Sequence, residues 1–182
     1  MLLAWALPAV VTAKMFEWLY HPAAGLVNFL LGGRQINWLG DPALALPALI
    51  LADVWRTMPF VALLCYARLL GIPGELYEAA EVDGASGWSA FWSLTLPLLR
   101  PILAVTLVLR TTFAFMVFDE ILAITQGGPG NDTWVAAWYT YKMAFQPPFN
   151  VGLGAASAWG LTLIIGAVAL LYVRFVYRRV EW

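Results

Sequence analysis

Residues 153–173 read Leu-Gly-Ala-Ala-Ser-Ala-Trp-Gly-Leu-Thr-Leu-Ile-Ile-Gly-Ala-Val-Ala-Leu-Leu-Tyr-Val, and they decide the class of fold. They lie in an uncharged run that begins after Lys142 and ends at Arg174. A bilayer core about 30 Å thick needs roughly 20 mainly apolar residues in a helix, because every backbone amide there must be satisfied internally. Segment 153–173 meets that requirement without an ionisable acid or base.

Three further segments follow the same pattern. Segment 101–124 is interrupted by Arg110 and Asp119, and segment 46–70 by Asp53, Arg56 and Arg68. Segment 2–20 carries Lys14 and Glu17 at helical i, i+3 spacing. The apolar start from Met1 to Ala13 has no basic residue before it, so it reads as a span whose beginning lies upstream rather than as a cleaved leader. The expectation is an all-α, polytopic membrane helical bundle of about four transmembrane helices, forming one domain over residues 1–182.

Composition agrees. Of 182 residues, 62% are hydrophobic and 12% charged, against about 45 to 50% and about 25% in soluble domains. Ten Lys and Arg against eleven Asp and Glu leave a net charge of −1, which excludes the basic field that a nucleic acid partner needs. A single cysteine, Cys65, and a single histidine, His21, supply neither a disulfide nor a Cys/His metal site, so no metal or other cofactor is expected. His21, before Pro22, reads as a loop residue and Cys65 as packing.

Cations near span ends set orientation. Arg68 and Arg100 flank the loop 71–99, and Arg174, Arg178 and Arg179 follow the last span, whereas the opposite loops contribute only Arg34 and Lys142. The middle loop and both chain ends are therefore expected on the cytoplasmic side. Trp18, Trp38, Trp55, Trp134, Trp138 and Trp182 fall near predicted span ends, where amphipathic rings prefer the interface. Gly152, Gly154, Ala156, Gly160 and Gly166 offer a small-residue surface for helix packing.

The middle loop carries the most specific signal. Pro73 suits a first helical turn, and Glu75 and Glu78 suit the positive end of the dipole. Gly84 after Asp83 supplies a left-handed stop. Ser86 is placed to cap a second short helix with Trp88, Phe91, Trp92 and Thr95 on one face, and Pro97 then opens the third span. The joint spacing is Glu78-Ala79-Ala80, three residues, Gly84, nine residues, Leu94, one residue, Leu96-Pro97.

This spacing resembles the coupling motif of ABC importer permeases, with Leu94 where the family usually has Ile, a volume-conserving change. Segments 36–42, 109–111, 117–119, 125–131 and 177–181 look like the binding-protein-dependent sugar transport branch (maltose/glycerol-phosphate type), and the chain looks similar to its C-terminal four spans, two upstream spans being expected to be missing. The resemblance implies a bacterial inner-membrane, multi-pass permease subunit whose loop 72–97 is a cytoplasmic coupling helix-turn-helix. It implies cytoplasmic ABC ATPase subunits docking on that loop, a second permease subunit, an extracytoplasmic substrate-binding protein, and a sugar or glycerol-phosphate substrate. Glu78, Ala79, Ala80, Gly84, Leu94, Leu96 and Pro97 are the implied coupling residues.

The chain itself has no phosphate-binding loop, since Gly127-Gly128-Pro129-Gly130 has no following Lys; ATP hydrolysis and catalysis are not expected of it. Ionisable groups inside spans normally face a pore or another helix, which makes Arg110 and Asp119 candidates for the translocation path, with structural bridging as the alternative. Asp53 and Arg56, at i, i+3, read as a self-neutralising pair. Two other functional readings stay open: a truncated, inactive permease remnant, and an intramembrane enzyme using Glu120 or Asp119 with His21.

Overall fold

The computed structural model describes residues 2–176, without the side chains of Leu2, Val173, Phe175 and Val176. Arg178, Arg179 and Trp182, counted above for orientation and interface, lie outside the described residues. The described chain is all helical: α1 (Leu2–Ala6), α2 (Ala9–Leu19), α3 (Leu26–Leu30), α4 (Ala45–Leu70), α5 (Glu75–Val82), α6 (Gly87–Ala90), a π-helical turn (Phe91–Thr95), α7 (Leu96–Phe115), α8 (Asp119–Ile124), α9 (Ala136–Phe145) and α10 (Val151–Val176).

Among the described residues three runs are long and apolar enough to cross a bilayer: Ala45–Leu70, Gly87–Ile124 and Val151–Tyr172. They include the segments 46–70, 101–124 and most of 153–173 expected from composition. Segment 2–20 differs from the expected continuous helix. It is divided at Leu7 and Pro8 into pieces of 5 and 11 residues, each shorter than a span requires. Proline has no amide hydrogen to donate and restricts the residue before it, so α1 stops; the Pro8 carbonyl then accepts from the Val11 and Thr12 amides and starts α2. Pro59 and Pro101 instead sit inside α4 and α7, as membrane helices tolerate.

The chain forms two compact units. The first comprises the residues up to Pro59 with Phe113–Ile165. Its core forms where α4 presents the small residues Ala48 and Ala52, against which Phe16 and Tyr20 pack. The Tyr20 hydroxyl donates to the Ala48 carbonyl at 3.1 Å, so the ring is buried without orphaning its polar tip. A second cluster joins Leu49, Ile121 and the wholly buried Trp138, with Phe118 stacked on the indole and Tyr141 tilted against both rings. The loop between α3 and α4 is pinned by one buried side chain. Asn28 donates to the Pro22 and Ile36 carbonyls (2.9 and 2.8 Å) and accepts from Trp38 Nε1 (2.9 Å).

The second unit comprises Phe60–Thr112 with the residues from Gly166 onward. It holds the end of α4, the whole middle loop and most of α7. Thr111 donates to the Tyr172 hydroxyl of α10 at 3.2 Å, and Arg68 Nε donates to the Leu98 carbonyl at 3.2 Å. Large apolar side chains on α10 stay in the open, Trp159 and Leu170 about seven-tenths so, which lipid or another helix accommodates and water does not.

Candidate functional site

The middle loop begins where α4 ends, with the Gly71 and Ile72 amides turning back to the Arg68 and Leu69 carbonyls. Helix α5 starts at Glu75 with Gly74 as its N-cap, so Pro73 stands just before the cap rather than in the first turn. Glu75 and Glu78 do lie in that first turn, at the positive end of the helix dipole. The C-terminus closes by a double hydrogen bond: the Gly84 amide donates to Glu81 and the Ala85 amide to Ala80, both at 2.9 Å. This is the Schellman arrangement, which requires a left-handed residue, and Gly84 has φ +79°. The glycine of the spacing pattern thus has a backbone reason.

Ser86 caps the next helix as expected, its Oγ accepting from the Ser89 amide at 3.3 Å. Beyond it the structure corrects the sequence reading. There is no separate second helix ending before Pro97; the backbone runs helically from Gly87 to Phe115 through the π turn. A proline lacks the amide for the preceding turn, and its ring crowds the carbonyl four residues back. The helix widens there, with the Leu96 amide donating to the Phe91 carbonyl five residues earlier, and Pro97 is absorbed instead of starting a new element.

The candidate coupling residues divide by exposure. Glu78, Ala79 and Gly84 are exposed and Ala80 partly buried, whereas Leu94, Leu96 and Pro97 are partly buried along the continuous helix. Tyr77 brings the two halves together through a 3.0 Å hydrogen bond to the buried Thr95. The sequence reading placed Thr95 on the face of Trp88, Phe91 and Trp92 and passed over Tyr77. In the structure the three rings pack on one another, with centroids 5.4 to 6.0 Å apart, and remain exposed.

Arg110 and Asp119 fall in different compact units and on opposite sides of the helix break at 116–118. Arg110 is partly buried on α7; Asp119 is exposed as the first residue of α8. The residue after it was missed as a partner. Glu120 is 3% exposed and lies 2.7 Å from Arg56, an ion pair whose angle falls short of a directed hydrogen bond. Arg56 also meets Asp53 at 3.2 Å, so the pair expected from i, i+3 spacing extends to a third group. The available signal was Asp119-Glu120 at a helix start, where only one of two adjacent carboxylates turns inward. His21 Nδ1 accepts from the Ala23 and Ala24 amides, a loop role.

The sequence profile described as the inner membrane component of binding-protein-dependent transport systems matches residues 1–182. The chain belongs to that family. The chain is 40% identical to the trehalose/maltose transport system permease protein MalF of Thermococcus litoralis, over 95% of this chain and 59% of that protein. It is 37% identical to the sulfoquinovosyl glycerol transport system permease protein SmoG of Agrobacterium fabrum, over 97% and 58%. It is 34% identical to the diacetylchitobiose uptake system permease protein DasB of Streptomyces coelicolor, over 100% and 57%. The chain therefore spans about three-fifths of the length of these relatives. Its fold matches a bacterial ABC transporter involved in the import of the acidic polysaccharide alginate, with TM-score 0.88, 24% identity, and coverage of 98% of this chain and 64% of that one. A second match, to a bacterial alginate ABC transporter in complex with an alginate pentasaccharide-bound periplasmic protein, has TM-score 0.77 and 27% identity over 96% and 60%. Family membership and three apolar helices make this a multi-pass inner-membrane protein.

Proposed function

We propose that this family member is the membrane-spanning permease subunit of an ATP-driven importer for carbohydrates. It forms the solute path together with a second permease subunit and receives its cargo from an extracytoplasmic binding protein. The loop 72–97 and the C-terminus face the cytoplasm, where ATPase subunits dock on Glu78, Ala79, Ala80 and Gly84; Leu94, Leu96 and Pro97 carry the motion into the third span. Arg110 and Asp119 contribute to the path.

The observation that carries this reading is α5. It is a short acidic helix with no buried residue, closed by an obligatory left-handed glycine and followed by an unbroken helix into the membrane run. An element so exposed and so sharply shaped serves a partner surface better than its own fold. The relatives' names supply the cargo class: a disaccharide pair, a glycosyl glycerol and a diacetylated amino-sugar dimer. Co-purification with ATPase subunits from the same source tests it. Retention by the native chain that is lost with Gly84→Asp is the expected result, and equal retention by both overturns it. For the path, Arg110→Ala and Asp119→Ala are each expected to slow sugar uptake while leaving ATPase retention intact.

A further inference from the structure

We propose that Tyr77 is a positioning residue for the coupling loop: its hydroxyl, acting through Thr95, ties the exposed helix α5 to the π turn of the third span. This rests on the coupling role proposed above and adds two residues that the Glu-Ala-Ala spacing leaves unspecified.

Helix α5 is bounded by Gly74 and Gly84 and buries none of its residues, so little apolar contact holds its direction. Among the described residues, one side-chain hydrogen bond leaves it, from Tyr77 Oη to Thr95 Oγ1 at 3.0 Å. Thr95, like Thr111, bonds a tyrosine hydroxyl instead of a carbonyl of its own helix. Thr57, Thr106, Thr112, Thr140 and Thr162 all donate to the carbonyl four residues back. For Thr95 that carbonyl belongs to Phe91, the acceptor of the Leu96 amide at the π turn. The Thr95 hydroxyl turns to Tyr77 instead, and at 9% exposure it has little water to fall back on. The bond therefore joins α5 to the point where the long helix is widened. A push on Glu78–Gly84 reaches residues 96–115 through Tyr77 and Thr95 instead of dissipating by bending at the two glycines.

Two measurements test this. In the full chain in nanodiscs, with Cys65→Ser, spin labels at Glu81→Cys and Ser89→Cys report the distance between α5 and the following helix. Tyr77→Phe and Thr95→Val are each expected to broaden that distribution, and the double variant to broaden it no further. An unchanged distribution, or additive effects, overturns the tether. In the importer reconstituted with its co-purifying ATPase, Tyr77→Phe is expected to lower solute moved per ATP hydrolysed by about fivefold while ATPase retention is kept. Thr95→Ser is expected to behave as the native chain where Thr95→Val does not. A parallel loss of ATPase retention and transport, or an unchanged ratio, overturns the positioning role. If the native chain holds no ATPase, the coupling reading falls and Tyr77's part in coupling falls with it, while the spin-label distances still decide whether the tether exists.

Discussion

Arg56 of α4 and Glu120 of α8 meet at 2.7 Å although 64 positions separate them, and Asp53 shares the same guanidinium at 3.2 Å. One cation thus holds two carboxylates in a site where Glu120 is 3% exposed. Burying two charges costs several kcal/mol per ion, so the group is poor evidence of stability in itself but makes the loss of one member expensive.

The order of loss follows from that count. Arg56→Met removes the cation that Asp53 and Glu120 share and is expected to destabilise more than Glu120→Leu, which leaves the Arg56–Asp53 pair intact. Glu120→Leu should cost about 3 kcal/mol, and Arg56→Met combined with Glu120→Leu should recover part of what Arg56→Met loses. Thermal unfolding in detergent micelles reads all three.

Gly84 predicts a graded series. A Cβ there meets open space, so only the backbone conformation at φ +79° resists substitution. Gly84→Ala should weaken the α5 terminus by about 1 to 2 kcal/mol, and Gly84→Asn by less because Asn tolerates the left-handed region. Amide exchange at positions 84 and 85, whose donors close the turn, is expected to rise most with Gly84→Ala and less with Gly84→Asn.

Asn28 gives a test of the α3–α4 loop. Asn28→Leu removes two donors from partly buried carbonyls and one acceptor from the Trp38 indole. About 1 to 3 kcal/mol is expected for each group left unpaired, moderated where water reaches it. Asn28→Asp should be worse than its size implies, because a carboxylate would confront the Pro22 and Ile36 carbonyls. Trp38 emission and the unfolding temperature are the measurements.

The small-residue surface of α10 separates into two parts. A Cβ on Gly154 collides with Ala144 of α9, whereas one on Gly160 or Gly166 meets nothing within 4 Å. Gly154→Leu is expected to unfold the chain readily on its own, and Gly160→Leu to leave its unfolding temperature unchanged.

The long apolar helices were legible because lipid imposes a length and a composition, and α4 and α10 obey both. The capping chemistry at Ser86 and Gly84 was legible for a similar reason, since each residue type satisfies a local backbone demand. Pro8 and Pro97 look alike in sequence but end differently. Pro8 divides a short segment, while Pro97 is absorbed by a widened turn whose cost the long apolar helix around it offsets. Periodicity within one segment paired Asp53 with Arg56. It could not supply Glu120, whose approach depends on how α8 folds back after the 116–118 break. A tyrosine in an exposed acidic helix has no pattern around it, and the partner of Tyr77, Thr95, lies 18 positions on and is set only by how the loop folds back.

The uninterrupted run of residues 87–115 is also a lever. At 1.5 Å per residue it extends about 43 Å, so a tilt of only about 5° at the loop end displaces the far end by about 4 Å, roughly the width of a water molecule plus a bond. A strut of that reach turns a small tilt at one end into a displacement of atomic dimensions at the other.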